Sequence, residues 1–586
     1  MKKRPATQRK KGAISLVLRF MRPYYPLILL ALLCSVAQIV ATLLAPVIIG
    51  RAIDYIIGEG NVDLGKVLHY AYILMALIAV VMVFQWLASL CTNKAAFYTV
   101  RDLRAAAFNK LNRVPLAFID NHPHGDLLSR VVSDTDLISD GLIQGFTQLF
   151  SGVVTVIGTI VFMLRLSVTV TLVVVLITPV SICVAYLIAR ATHNMFRLQQ
   201  QKRGALSALA EESLSGSKTV KAFGREPSAV AAYDEVNEDL RKVGVKAMFY
   251  SSLTNPGTRF VNAIVYAAVA VTGALMVLRA GNAGFTVGML SCFLSYAHQY
   301  TKPFNEITGV VTELQTASAA AGRVKELLDE AEEPSDDGLP ALSYCDGSLS
   351  VQHVDFAYDP ARPLIRDLNL EVLPGSRVAI VGPTGCGKTT LINLLMRFYD
   401  PQKGEILLSN TPATAVTRAS LRGAYGMVLQ ESWLFRGTVA QNIAYGKPDA
   451  SREEIVNAAK RAHIHSTIEK LPLGYDTVID DEGGSISQGE KQLLCIARIL
   501  LTQPPMLILD EATSNIDTRT EAKIQSAFAA MMKGRTSFVI AHRLSTIADA
   551  DLILVMRDGN VIEQGTHNEL LAQGGAYCEL YNSQFV

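Results

Sequence analysis

Apolar residues crowd into six stretches in the first half of the chain, near Pro26–Gly50, Val67–Leu90, Leu142–Leu164, Val168–Ala189, Phe260–Val277 and Val287–Tyr300 with its continuation. A helix needs about 20 apolar residues to cross a hydrocarbon core about 30 Å thick. The first four stretches reach that length. The last two are interrupted by Gly, Ser, Tyr and polar residues, and an even count returns the chain to the side it left. The links between the stretches alternate. Arg51–Lys66, Arg165–Ser167 and Arg279–Thr286 are short and hold few Lys or Arg, whereas Asn93–Asp140 and Arg190–Asn255 are long and hold many. Positive links stay on the cytoplasmic side, so the long links are predicted there. They carry heptad-like runs at Ala96–Leu111 and Arg203–Leu214. Structureless links of such length are uncommon, so the membrane helices are predicted to continue well past the bilayer.

The pattern changes at Glu330–Asp337, an acidic stretch with a proline (EAEEPSDD) that reads as a linker. From Ser348 onward, short apolar strands such as Arg377–Val381 and Met506–Leu509 alternate with helical runs, the pattern of a soluble α/β domain. The predicted organisation is a basic cytoplasmic arm over 1–25, a six-helix transmembrane domain over 26–322, a linker over 323–347 and an α/β domain over 348–586. Composition agrees. A chain of 586 residues is too long for one core. Half of its residues are hydrophobic and 18% are charged, too apolar for a soluble protein and too charged for one wholly in the membrane. A net charge of +2 gives no reason to expect nucleic acid as a partner. The eight cysteines are scattered without a CxxC pair, so neither a disulfide framework nor a cysteine metal site is expected. The first acidic residue is Asp54, and the N-terminal MKKRPATQRKKG reads as an arm held in the cytoplasm rather than as a signal peptide.

The strongest motif in the α/β domain is Gly382-Pro383-Thr384-Gly385-Cys386-Gly387-Lys388-Thr389-Thr390, between the strand RVAIV and the helical run TLINLLMRFY. This is a P-loop in its strand–loop–helix setting. Its glycines let backbone N–H groups cradle phosphate oxygens, and the helix N-terminus adds partial positive charge. Lys388 is expected to reach the β- and γ-phosphates and the Thr389 hydroxyl to ligate Mg²⁺. Downstream, Met506–Leu509 leads into Asp510 and Glu511. An apolar strand ending in two carboxylates places Asp510 to hold Mg²⁺ and Glu511 to polarise a water as general base.

Ser487-Gln488-Gly489-Glu490 followed by KQLLCIAR resembles the ABC signature, the second phosphate-contacting element of ABC ATPases. Other positions match that family in order. Tyr358 resembles the aromatic that stacks on adenine, and Gln430 resembles the Q-loop glutamine at Mg²⁺. Ser514-Asn515-Ile516-Asp517 resembles the D-loop, and His542 resembles the switch histidine at the γ-phosphate. In the first half, Gly125–Asp136 and Gly216–Glu226 resemble the two cytoplasmic coupling regions of exporter-type half-transporters. The resemblance covers nearly the whole chain. It implies an exporter-type helical membrane domain fused to a C-terminal ABC ATPase, with ATP and Mg²⁺ as cofactors. It also implies a cell-membrane location, with the ATPase and both termini in the cytoplasm.

The chain departs from the family at the signature, usually LSGGQ, where Gln488 replaces the first glycine and Glu490 adds a carboxylate beside the expected γ-phosphate. The preceding segment and the D-loop differ as well. In this family each of two ATPs lies between the P-loop of one subunit and the signature of the other. A complete P-loop and Glu511 beside an altered signature resembles one member of a heterodimeric exporter, and self-pairing is the alternative. The bundle has almost no charge at membrane depth. Its polar residues include Gln38, Gln85, Gln144, Gln148 and His298, which serve either a substrate path or helix–helix packing. That scarcity of charge points to an amphipathic, lipid-like or drug-like cargo. An importer on the exporter architecture with siderophore-like cargo, and an ATP-gated channel or regulator, are the competing readings. The apolar stretches exclude a soluble ABC ATPase.

Overall fold

A computed structural model of the protein describes residues 6–56, 62–280, 285–429, 432–479, 486–510, 516–540 and 547–583. They fall into two compact units, Met1–Arg113 with His122–Ala331, and Val114–Asn121 with Glu332–Val586.

The described part of the first unit is helical. Long helices run over Tyr25–Asp54, Leu64–Leu111, Val168–Ser215, Thr254–Ala280 and Val287–Asp329, and Ser133–Gln144 continues through a π-helical turn at Gly145–Phe150 into Ser151–Leu166. Each of the six apolar stretches lies on one of these. Leu64–Leu111 and Val168–Ser215 have 48 residues each. At 1.5 Å per residue such a helix extends about 72 Å, more than twice the hydrocarbon core, so the heptad-like runs prolong the helices. Among the described residues, Gly12–Asp54, Leu64–Leu111 and His124–Leu166 are long and apolar enough to cross a membrane, and shorter apolar helices lie at Val168–Ile177 and Asn262–Leu278. The buried centre joins Phe293 and Tyr296 to Leu43, Met163, Val174 and Val269. The Tyr296 hydroxyl donates to the Leu43 carbonyl at 2.6 Å. Leu33, Trp86, Val153 and Leu176 point outward and exposed, which suits lipid rather than water.

Polar ties hold the segment around Gly125–Asp136 to its neighbours. Buried Asp134 accepts from Arg323 Nε at 2.7 Å, and Asp136 accepts from Arg104 at 2.7 Å. The helix Val287–Asp329 passes through the boundary drawn at 322. Ala320, Ala321, Val324 and Leu327 keep one buried stripe, and no proline interrupts before Pro334. The division between the units falls after Ala331.

In the second unit a six-stranded sheet runs in the order Asn560–Gly565, Leu552–Arg557, Arg377–Val381, Thr536–Ile540, Met506–Asp510, Tyr425–Val428, parallel except at its Asn560–Gly565 edge. Its central strands are buried almost throughout, as parallel strands covered on both faces must be. A second, antiparallel sheet pairs Leu349–Phe356 with Ile365–Val372 and Lys403–Leu408. Val378 and Ile380 face a core that holds Leu391 and Leu395 of the helix Lys388–Leu395. Ala379 and Val381 face the other core, which holds Leu493 and Ile496 of the helix Gln488–Thr502. The two helices therefore cover opposite faces of the sheet. The segment read as a linker is bound here, since Arg418 donates to the Pro334 carbonyl at 2.9 Å and Arg422 to Glu333 at 3.3 Å. The short helix Leu116–Asp120 also belongs to this unit, and Asp120 accepts from the Tyr399 hydroxyl at 2.6 Å. The part of the first long link that joins the α/β unit is thus Val114–Asn121, just ahead of Gly125–Asp136.

Candidate nucleotide site and membrane cavity

The strand Arg377–Val381 ends on Gly382, at φ +150°. A Cβ there would lie 2.2 Å from the Met556 carbonyl oxygen, so glycine alone lets the chain turn off the sheet at this point. Gly387, at φ +104°, caps the helix Lys388–Leu395. Between them the Cys386 carbonyl accepts from the Gly559 N–H at 2.9 Å, which pins the loop to the turn beyond Leu552–Arg557. The thiol of Cys386 is buried. The first N–H groups of a helix have no partners within it, so this loop presents donors to an anion. Lys388 Nζ donates to the carbonyls of Gly382 at 2.8 Å and Pro383 at 3.1 Å, which holds its charge over the loop. Thr389 is exposed on the first turn.

Asp510 closes the strand Met506–Asp510. Ile540 pairs with both Ile380 and Asp510, so Asp510 stands level with the strand end that feeds the P-loop, two strands away. The Thr389 hydroxyl and the Asp510 carboxylate are the hard oxygen donors that suit Mg²⁺. Tyr358 is 52% exposed. Its ring is held edge-on by Phe356 and Tyr399, both with centroids at 5.0 Å, and its hydroxyl accepts from Asn393 at 3.3 Å. A ring supported this way keeps surface available for stacking. Burial and the bond to Asp120 push the Tyr399 phenol above its usual range, so it remains a donor. Gln430, Glu511, Ser514, Asn515 and His542 lie outside the described residues.

The signature segment opens the helix Gln488–Thr502 with Ser487 as N-cap. Ser487 Oγ accepts from the Glu490 N–H at 3.3 Å, and the Glu490 carboxylate accepts from the Ser487 N–H at 2.8 Å, a reciprocal capping box. The charge of Glu490 is thus turned onto the helix N-terminus, where it is favourable. Gly489 is buried, and a Cβ there would lie 2.5 Å from Thr520 Cγ2. Gln488 is exposed on the first turn. Asp517 caps the helix Thr518–Met532, and the Thr520 N–H at 2.9 Å holds its carboxyl below the usual range.

Residues 28–304 match the ABC transporter transmembrane region, and residues 365–514 match the ABC transporter family model for the ATPase. The chain is 42% identical over 534 residues to the fatty acid ABC transporter ATP-binding/permease protein of Mycobacterium tuberculosis, covering 91% of this chain and 83% of that protein. The chain belongs to the ABC transporter family. It is 38% identical over 487 residues to an ATP-dependent lipid A-core flippase of Chromobacterium violaceum, covering 83% of each. The structure of a bacterial Atm1-family ABC exporter with ATP bound matches it with a TM-score of 0.75 at 32% identity, over 97% of this chain and 99% of that one. This ABC transporter therefore joins a membrane-embedded helical domain to a nucleotide-binding domain that hydrolyses ATP, and it works as a dimer in the lipid bilayer.

Within the helical unit of this transporter, polar side chains gather around one cavity of about 450 Å³. Gln38, Gln85, Gln148 and His298 line it, so the structure brings together four of the five polar positions singled out in the sequence. Gln144 is not among its lining residues. Gln299 and Lys302 complete the polar wall. Sequence reasoning missed Lys302, although it follows His298 on one helix. It also missed Asp120, Tyr399 and Asn393 behind Tyr358, for which no local pattern gives a signal.

Proposed function

We propose that this ABC transporter exports an amphipathic, lipid- or drug-like molecule across the cell membrane, driven by ATP at two sites shared with a second subunit. The nucleotide unit and both chain ends would lie in the cytoplasm. The observation that carries this reading is the bundle itself: its polar side chains converge on one cavity while its outer surfaces stay apolar, and it is fused to a P-loop ATPase. The fatty acid and lipid A-core names of the relatives support a lipid-like cargo.

In this reading Gly382 to Gly387 and the first N–H groups of the following helix wrap the phosphates, Lys388 reaches the β- and γ-phosphates, and Tyr358 stacks on adenine. Thr389, Gln430 and Asp510 would hold Mg²⁺, which offsets phosphate charge. Glu511 would orient and deprotonate the attacking water, and His542 would contact the γ-phosphate. The helices behind the P-loop and the signature cover opposite faces of one sheet. That supports a signature, Ser487 to Glu490 with Asp517 linked to it through Thr520, that serves the ATP held by the other subunit. ATP touched from both sides favours the closed pair over the open one, and hydrolysis releases it.

The second subunit is proposed to be a sister chain with a regular signature and an altered catalytic carboxylate, because exposed Gln488 places a side chain on the turn that would meet the phosphate. Self-pairing has one observation in its favour, the capping box that turns the Glu490 charge inward. Cargo-stimulated ATP hydrolysis by this chain together with its partner subunit in lipid nanodiscs tests the coupling. Acyl-chain amphipaths are expected to raise turnover several-fold over the Glu511→Gln blank. A rate indifferent to every amphipath would overturn the reading.

A further inference from the structure

Tyr358 is one corner of a cluster of three rings. Its centroid lies 5.0 Å from Phe356 and 5.0 Å from Tyr399, and those two stand 5.7 Å apart, all edge to face. In such contacts the positive edge of one ring meets the negative face of the next, so each ring fixes the tilt of its neighbours. The backbone beside Tyr358 is pinned too, since Gln402 Nε2 donates to the Ala357 carbonyl at 2.8 Å. What remains free to vary is the tilt of the Tyr358 ring, and it follows the two rings beside it. Phe356 is buried on a strand paired along both edges, which fixes its place. Tyr399 is half-buried and lies outside helix and strand, beyond the helix Lys388–Leu395. Its position therefore depends on its own partners.

The partner that holds the Tyr399 hydroxyl is Asp120, which accepts from it at 2.6 Å. The bond is charge-assisted and directional. Asp120 ends the short helix Leu116–Asp120, and Asn121 closes that helix by donating from Nδ2 to the Ala117 carbonyl at 2.7 Å. This stretch packs with the nucleotide unit, yet the chain enters it from Arg113 and leaves it at His122, both in the helical unit. Its two ends lead into the helices Leu64–Leu111 and His124–Val131. One hydrogen bond thus ties the support of the Tyr358 ring to a segment whose two ends belong to the helical unit. The tie reaches the ring that would face a base, not the loop Gly382 to Gly387 that would face phosphate.

We propose that Asp120 and Tyr399 are positioning residues for the nucleotide base, and that through them the segment Val114–Asn121 senses adenine on Tyr358 rather than phosphate in the P-loop. Coupling between two sites is reciprocal. A segment that holds Tyr399 in place favours the base, and the stacked base steadies the segment. The arrival of nucleotide is thereby reported to the chain of the helical unit from a site that one copy completes by itself. The proposal rests on the reading of Tyr358 as the ring that stacks on adenine.

The test uses the full chain in lipid nanodiscs with Mg²⁺ and either ADP or pyrophosphate, so that the phosphates can be presented with and without the base. Calorimetry gives affinity, and hydrogen exchange follows the amides of Leu116–Asn121. In the wild type, ADP is expected to slow exchange there and saturating pyrophosphate to leave it unchanged. Tyr399→Phe keeps the ring and loses the hydroxyl. It is expected to abolish the ADP-dependent slowing and to weaken ADP about two- to tenfold, with pyrophosphate affinity kept. Asp120→Ala, at an exposed position, is expected to do the same, which keeps the test open if Tyr399→Phe disturbs packing. Asp120→Asn retains an oxygen acceptor and is expected to restore most of the response, which a purely structural role in folding would not predict. Slowing by pyrophosphate equal to that by ADP, or slowing by ADP that survives both Tyr399→Phe and Asp120→Ala, would overturn the proposal. A wild type that prefers ADP to pyrophosphate but shows no change at Leu116–Asn121 overturns the sensing role and leaves the stacking reading intact. A wild type that binds the two alike, or a Tyr358→Ala variant that keeps the preference, removes the stacking reading and the proposal with it.

Discussion

Gly489 shows how packing can fix a residue type. Its missing side chain leaves room for Thr520 and Ile516, whose methyls would lie 2.5 and 2.9 Å from a Cβ. Gly489→Ala is therefore expected to cost about 1–3 kcal/mol through overpacking, read as a lowered midpoint in thermal unfolding of the detergent-solubilised protein. At Glu490 the box with Ser487 predicts a graded series. Glu490→Gln keeps a side-chain acceptor for the Ser487 N–H and is expected to unfold near the wild-type midpoint, whereas Glu490→Ala loses it and about 0.5–2 kcal/mol. The P-loop was legible in the sequence because its glycines answer to backbone geometry that no other residue meets, as the φ of Gly382 and Gly387 bear out. The Glu490 carboxylate read from sequence as a charge beside phosphate, and the structure gives it a different partner because an S-x-x-E spacing at a helix start is also a cap. Tyr399 and Asp120 were not legible, since 279 positions separate two residues that only the fold brings together.

At the scale of elements, hydrophobic periodicity reported the long helices and the parallel strands faithfully, and it failed at boundaries. The helix Val287–Asp329 overran the boundary at 322 because the buried stripe through Val324 and Leu327 continues with no proline to stop it. Gln38, Gln85 and Gln148 were visible one by one, but nothing local says that helices Tyr25–Asp54 and Leu64–Leu111 and the turn Gly145–Phe150 aim them at a common space. The tie from Arg323 to Asp134 holds two of the unit's helices. Hydrogen bonds to charged groups contribute about 1.5–3 kcal/mol, and the partial exposure of Arg323 reduces that. Asp134→Asn is expected to cost about 1–2 kcal/mol in thermal unfolding. The cap at Asp517 adds a pH dependence. Its carboxyl is held below its unfolded value by the Thr520 N–H, so its contribution is complete above the ordinary carboxylate range and is lost as pH falls through the lowered folded value. Asp517→Asn keeps an acceptor for the Thr520 N–H. Melting curves across acid pH should show the variant losing less stability than the wild type.

For the whole molecule, a P-loop helix and a signature helix on opposite faces of one sheet argue that one copy does not complete its own site. The sister-chain proposal predicts that this chain alone in nanodiscs hydrolyses ATP no faster than Glu511→Gln, and that co-purified sister subunit restores turnover. Robust activity of the lone chain would make the self-paired dimer the working form. Neither outcome reaches the central claim, that ATP hydrolysis by this transporter moves an amphipathic cargo outward. The direct measurement is uptake of a fluorescent acyl-chain probe into inside-out vesicles from cells that make the protein in its native membrane, against the same vesicles carrying Glu511→Gln. The account predicts accumulation inside the vesicles that requires ATP and disappears in Glu511→Gln. Equal, ATP-independent uptake in both, or ATP-driven loss of the probe from preloaded vesicles, would contradict it.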